Sequence, residues 1–144
     1  MAHARSEWAS TGITCGRIKL MSERVTTDNP ISDHILSQAV ISNGLIFVSG
    51  QIHSNPDMTL AGETVEEKVT IIMKNIESIL EFANASLDNI VKVTIYVTDM
   101  SVMPELNKIY PTFFTGTLPA REAICVAGLP LGASIEISVI AEQN

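Results

Sequence analysis

An amphipathic segment from Thr64 to Asn84 predicts one long helix, because its apolar residues recur every three or four positions as a single stripe. Thr64 and Glu67 fit a capping box, which places the start of the helix at Thr64. Segments of strand-like composition flank this helix, so its stripe is expected to pack against a sheet. The stripe comprises Val65, Val69, Ile72, Ile76, Ile79, Leu80 and Ala83.

A β-hairpin is predicted ahead of the helix. Two runs rich in β-forming residues, 36–41 and 45–49, flank Asn43-Gly44, and this dipeptide is the strongest short hairpin signal. Residues 51–62 carry an Asn-Pro-Asp triplet and a glycine at their end, so they are predicted to form a loop.

Four more segments complete the pattern. They are a strand at 90–97, a helix from Asp99 or Ser101 to about Phe114, a strand at 121–126 and a strand at 134–142. The order ββ-α-β-α-ββ predicts an α+β sandwich, in which two helices cover one face of a mixed sheet. The other face must meet solvent or another subunit, and its apolar residues favour an oligomer.

The charge divides the 144 residues into two parts. Residues 1–24 hold four basic and two acidic residues, a net of +2, and are rich in small polar residues. They are predicted to be a tail or a mitochondrial targeting segment. Residues 25–144 hold five basic and fourteen acidic residues, a net of −9, and are predicted to form a single domain. The expected location is therefore the mitochondrial matrix or the cytoplasm.

Several classes of function are not supported. The acidic domain would repel a phosphate backbone and has no run of Lys or Arg, which does not favour nucleic-acid binding. No apolar run reaches the roughly 20 residues of a membrane span. Two cysteines and three scattered histidines give no zinc pattern, so His34 and His53 are predicted to be surface residues. No metal, cofactor or nucleotide-binding motif is predicted.

Arg121 and Glu136 are the strongest candidates for chemistry. Arg121 is the only arginine of residues 25–144, and its planar guanidinium can bind a carboxylate with two hydrogen bonds. An ordinary ion pair with Glu122, Glu105 or Glu136 is the alternative. Glu136 interrupts the apolar final strand, where it either faces solvent or lies in a cleft beside Arg121 and handles a proton.

Two weaker candidates complete the residue-level analysis. Asn107 lies on the polar side of the second predicted helix, where taken alone it would be a surface residue. Ser49 and Gly50 end a predicted strand, where free backbone N–H groups can bind an anion.

These residues occur within motifs that resemble the Rid family of reactive-intermediate deaminases, also called YjgF or L-PSP endoribonuclease proteins. The resemblance covers about residues 25–142. Its motifs are Ser49-Gly50-Gln51-Ile52, Asn107-Lys108-Ile109-Tyr110 with Phe113-Phe114, Pro119-Ala120-Arg121, and the segment Ile135 to Ala141. The family resemblance implies a chorismate-mutase-like α+β sandwich that forms a homotrimer with clefts between subunits.

The implied activity is the hydrolysis of 2-imino acids, or their enamine tautomers, to 2-keto acids and ammonia, with no cofactor. By resemblance, the substrates include 2-iminobutanoate and 2-iminopropanoate, Arg121 binds their carboxylate and Glu136 holds the attacking water. The backbones of Gly50 and Ala123, the Asn107 side chain and Ser49 would line the site.

This chain departs from the family pattern at two positions. Leu36 stands where an aromatic residue is usual, which removes a phenolic hydroxyl from the site and leaves substrate preference open. Ala123 stands where a cysteine is common near the arginine. A non-catalytic module that binds small carboxylates or protects proteins therefore remains an alternative, while an endoribonuclease or translation inhibitor is less favoured by the acidic domain.

Overall fold

The computed structural model describes residues 22–28 and 34–144. The tail or targeting segment predicted for residues 1–24 lies outside the described residues, apart from its last three positions. Among the described residues, no helix has the length and apolar composition needed to cross a membrane.

The described residues have the predicted α+β architecture, with one six-stranded mixed sheet and two α-helices. The strands are β1 (Glu23–Val25), β2 (Ala39–Ser42), β3 (Leu45–Ile52), β4 (Ile90–Val97), β5 (Ala120–Cys125) and β6 (Ile135–Glu142), and the helices are α1 (Val65–Phe82) and α2 (Met103–Ile109). Their spatial order in the sheet is β1-β2-β3-β6-β4-β5. Neighbours are antiparallel except β4 and β5, which are parallel.

Local signals at two element ends are confirmed. Asn43 and Gly44 both have positive φ, 52° and 77°, as the tight turn of a two-residue hairpin between β2 and β3 requires. At the start of α1 the Thr64 hydroxyl accepts a hydrogen bond from the Glu67 backbone N–H, and the Glu67 carboxylate accepts one from the Thr64 N–H. These reciprocal bonds satisfy donors that would otherwise be unpaired at a helix N-terminus.

The second helix is shorter than predicted. The α-helix α2 ends at Ile109, and Tyr110–Phe113 continue as a turn of 3₁₀-helix rather than as an α-helix to Phe114. Pro111 gives the reason, because it has no N–H to donate to the preceding turn and its ring disfavours a continuous α-helix. The turn still packs against the core, since Tyr110 is buried.

The two faces of the sheet differ in what covers them. In β6 the alternate residues Ile135, Ile137 and Val139 are buried in the core with α1, whereas Glu136 and its neighbours on the other face are only half-buried. Phe47 lies on this second face, because it pairs with Ile140 in the register of β3 and β6, and it is 43% exposed. We call this second face of the sheet the open face.

The prediction that His53 lies on the surface is wrong. Its side chain is only 3% exposed, whereas His34 is exposed as predicted. His53 Nδ1 donates to the Ala61 carbonyl at 2.9 Å, and Nε2 accepts from the Ser134 N–H at 3.1 Å. Burial lowers the pKa of His53. The neutral His53 ring therefore connects the loop after β3 to the start of β6 through hydrogen bonds. The spacing of residues in the sequence does not indicate this long-range contact.

Candidate functional site

Arg121 has its guanidinium fixed by the second helix. Nη1 donates to Asn107 Oδ1 at 2.8 Å, and Cζ lies over the Tyr110 ring, 5.0 Å from its centroid. Asn107 and Tyr110 are three residues apart, so both side chains project from the same side of the helical segment. This segment thus contacts the guanidinium twice, since Asn107 accepts a hydrogen bond from one nitrogen and the Tyr110 ring covers one face.

No carboxylate pairs with Arg121 in the described part of the chain. Glu122, its neighbour in sequence, forms an ion pair with Lys92 instead. Neither Glu105 nor Glu136 makes an ion pair with Arg121. The remaining N–H groups of an exposed, permanently charged guanidinium are therefore available to an external carboxylate.

Glu136 lies against the backbone of Gly50. A Cβ built on Gly50 would come within 1.9 Å of Glu136 Oε1 and 2.9 Å of Cδ, so only a glycine leaves room for the carboxylate in this position. The bulge that shifts the β3–β6 register between Val48 and Gln51 brings Gly50 to this point. The Glu136 carboxylate makes no hydrogen bond or ion pair with any described residue, and burial raises its pKa. A carboxyl with a raised pKa is a stronger base once it is ionised.

Two cavities meet at this carboxyl. The first, of about 460 Å³, is lined by Gly50, Tyr96, Gly128, Leu129, Pro130, Glu136 and Ser138. The second, of about 330 Å³, shares Gly50, Pro130 and Glu136 and extends to Leu36, Met58 and Ile79. Glu136 is thus reachable from two directions, one of them along the open face.

A single chain does not bring Arg121 and Glu136 together. In the sheet Arg121 pairs with Val93, whose side chain is in the core on the helix side, whereas Glu136 pairs with Tyr96. Val93 and Tyr96 are three residues apart on one strand, so their side chains point to opposite faces. The guanidinium therefore lies on the helix side at the sheet edge, and the carboxylate lies on the open face.

The other predicted site residues divide between these two places. Asn107 contacts Arg121, and Ala123 follows it on the same face of β5. Gly50 and Leu36 line cavities that contain Glu136. Ser49 lines neither cavity, and its hydroxyl donates to the Ser37 carbonyl at 2.6 Å.

Two residues of the site were not predicted from the sequence as site residues. Tyr110 occurs in one of the motifs of the family resemblance, but nothing in the sequence indicates that its ring would stack on a charged group. Pro130, which precedes β6, lines both cavities.

Comparisons with known proteins identify the family of this chain. A family model described as Endoribonuclease L-PSP matches residues 26–143. A RutC family protein of Aquifex aeolicus is 44% identical over 123 residues, 84% of this chain and 98% of the relative. The rat protein named 2-iminobutanoate/2-iminopropanoate deaminase is 40% identical over 120 residues, 83% and 88% of the two chains.

A yeast relative adds a structural comparison. The Saccharomyces cerevisiae protein named MMF1, mitochondrial, is 38% identical over 127 residues, 83% of this chain and 88% of the relative. The crystal structure of yeast Mmf1 superposes with a TM-score of 0.82 at 37% identity, and the match covers 86% of this chain and all of that one.

Proposed function

Because the chain belongs to the Endoribonuclease L-PSP family, which includes RutC and Rid proteins, we propose that it hydrolyses reactive 2-imino acids to 2-keto acids and ammonia. The substrates that we propose to test first are 2-iminobutanoate and 2-iminopropanoate, for which the rat relative is named. The observation that carries the proposal is the guanidinium of Arg121, which is held in place by Asn107 and Tyr110 and has no carboxylate partner in the described chain.

The proposed active site forms between subunits of a homotrimer. Arg121 and Glu136 lie on opposite faces of one sheet, so a small substrate cannot reach both within one chain. The open face carries Glu136 together with the exposed apolar residues Phe47 and Ile124, which association would bury. In the proposed cleft, Arg121 of one subunit faces Glu136 of its neighbour.

The chemistry then needs only positioning and one proton carrier. Arg121 binds the substrate carboxylate and thereby fixes the imine carbon beside Glu136. Glu136 accepts a proton from water as the water oxygen bonds to the carbon of the protonated imine, which gives a neutral carbinolamine. Glu136 returns this proton to the nitrogen and then accepts the hydroxyl proton of the carbinolamine as the C–N bond breaks, leaving the keto acid and ammonia. Such a general base contributes roughly 10²–10⁴-fold, and the reaction consumes only water.

The test is the suppression of semicarbazone formation while the imine is generated in situ by an amino acid oxidase. Wild type is expected to lower the yield of semicarbazone, and Arg121→Ala is expected to abolish the effect. Lys108→Ala is the matched control, because it removes one cation from the exposed side of α2, next to Asn107. Wild-type protein that is inactive on several imino acids, or full activity in Arg121→Ala, would refute the proposal.

Subunit mixing tests the shared cleft directly. Arg121→Ala and Glu136→Gln chains are each expected to be inactive as homotrimers. Refolded together in equal amounts, they should regain about a quarter of wild-type activity, because about one interface in four then joins an intact Arg121 to an intact Glu136. No recovery in mixed trimers of confirmed composition would exclude a site shared in this way.

A non-catalytic module that binds small carboxylates is the second candidate. It is favoured by Leu36, which lines a cavity at Glu136 and offers no hydroxyl for chemistry. Binding of 2-oxobutanoate that depends on Arg121, without imine hydrolysis, would identify it. An endoribonuclease is less favoured, because residues 25–144 carry a net charge of −9.

We further propose that the protein acts in the mitochondrial matrix or the cytoplasm. The support is the basic, small-residue-rich segment 1–24 and the yeast relative that is named mitochondrial. Mass spectrometry of the N-terminus of the protein purified from its own cells distinguishes the two locations, because import is expected to remove the segment.

A further inference from the structure

Tyr110 is a buried polar residue with an unusual environment. Its side chain is 3% exposed, and its hydroxyl makes no hydrogen bond with any described residue. Buried hydroxyl groups are nearly always paired, because an unpaired one loses its bonds to water without replacement. The Tyr110 hydroxyl therefore has no hydrogen-bond partner that would explain its burial. The contacts of this side chain are made by its ring.

The contacts of the ring point to Arg121. The guanidinium lies over one ring face at 5.0 Å from the centroid, within the range of a cation–π interaction. The Phe114 ring packs at 5.1 Å with an interplanar angle of 60°, which fixes the orientation of the tyrosine ring. Arg121 is itself exposed, and a long, exposed side chain without this support would sample many rotamers.

We propose that Tyr110 is a positioning residue for Arg121 and that it acts through the face of its ring. The ring sets the plane of the guanidinium, Asn107 Oδ1 holds Nη1, and the remaining N–H edge points outward, ready to bind a carboxylate. This inference rests on the proposed function, because it assumes that Arg121 binds the substrate carboxylate. It goes further by assigning carboxylate affinity to a residue that touches no substrate.

The experiment reduces the negative charge on the face of the Tyr110 ring with little change in the size of the ring. Tyr110 is replaced by phenylalanine and then by phenylalanine carrying one to five ring fluorines, which progressively deplete the negative ring face. Binding of 2-oxobutanoate to the assembled protein is measured by calorimetry, and turnover is measured at saturating substrate.

Tyr110→Phe is expected to bind within about twofold of wild type, since the hydroxyl has no partner. The dissociation constant should rise steadily with fluorine number, to roughly tenfold for the fully fluorinated ring, with turnover nearly unchanged. Tyr110→Leu should reach a similar loss if it folds, and the fluorinated series decides the matter if it does not. A dissociation constant that is independent of fluorine number would overturn the proposal, as would a loss that follows melting temperature instead.

Arg121→Ala separates this inference from the function on which it rests. If that variant no longer binds 2-oxobutanoate while the fluorinated series is flat, Arg121 binds the carboxylate and only the role of Tyr110 is wrong. If Arg121→Ala still binds it, both proposals fail.

Discussion

The close approach of Glu136 to Gly50 allows the position of the carboxylate to be altered without changing any charge. In Gly50→Ala the new Cβ would lie 1.9 Å from Oε1, whereas real Cβ contacts essentially never fall below 3.0 Å. The oxygen must therefore move by at least about 1.1 Å. A displacement of about 1 Å can cost on the order of 10²-fold in rate when it misplaces a reacting group. We expect Gly50→Ala to lower turnover of 2-iminobutanoate by about that factor.

The assay is the semicarbazide competition, with melting temperature and oligomeric state checked in parallel. Gly116→Ala is the matched control, because its Cβ would meet nothing within 4 Å and its φ is not positive. The double variant Gly50→Ala, Glu136→Gln should be no slower than Glu136→Gln alone, since both changes act on one carboxylate. Turnover within about twofold of wild type in a folded Gly50→Ala protein would refute the proposed role of Glu136.

Two predictions concern the dependence of stability on pH. Burial raises the pKa of Glu136, so the protonated form favours the fold and this contribution is lost as pH rises through the folded-state pKa. Glu136→Gln should therefore be more stable than wild type at pH 7, by less than about 1 kcal/mol because the group is half-exposed, and urea titrations at pH 7 and pH 4 should show the gain only at pH 7. A variant that is equally or less stable at pH 7 would contradict this. His53 has the opposite sign: burial lowers its pKa, so stability is complete above its unfolded pKa of about 6.5 and falls as pH drops towards the folded value. The loss of unfolding free energy between pH 7 and pH 5 should be smaller in His53→Gln, and an equal loss in both proteins would show that other groups cause it.

The elements that local sequence determines were predictable. The alternation of apolar and polar residues in 134–142 indicates which side of β6 enters the core, because side-chain direction within one strand follows from a period of two. The Asn43-Gly44 turn and the Thr64 cap were also predictable, because each depends on residues only a few positions apart.

The relation between distant residues could not be read from local patterns. Both Arg121 and Glu136 were identified, but their faces depend on how β5 and β6 each pair with β4, and a shift of one residue would reverse the outcome. The bulge at Gly50 and the burial of His53 against Ser134 also arise from contacts between segments far apart in sequence. The order of the motifs therefore identified Arg121 and Glu136 as site residues. It did not indicate that they lie on opposite faces of the sheet within one chain.

The position of Glu136 on the open face links assembly to chemistry in the proposed trimer. A carboxyl that is half-buried in one chain would lose further water when a second subunit covers that face. The exposed apolar residues of the same face, such as Phe47, would supply the driving force for that proposed contact. Association would then bring the guanidinium of a neighbour to the same cleft as Glu136 in one step. A separated subunit would hold Arg121 and Glu136 in the same positions, but it would lack the cleft in which the two side chains face each other.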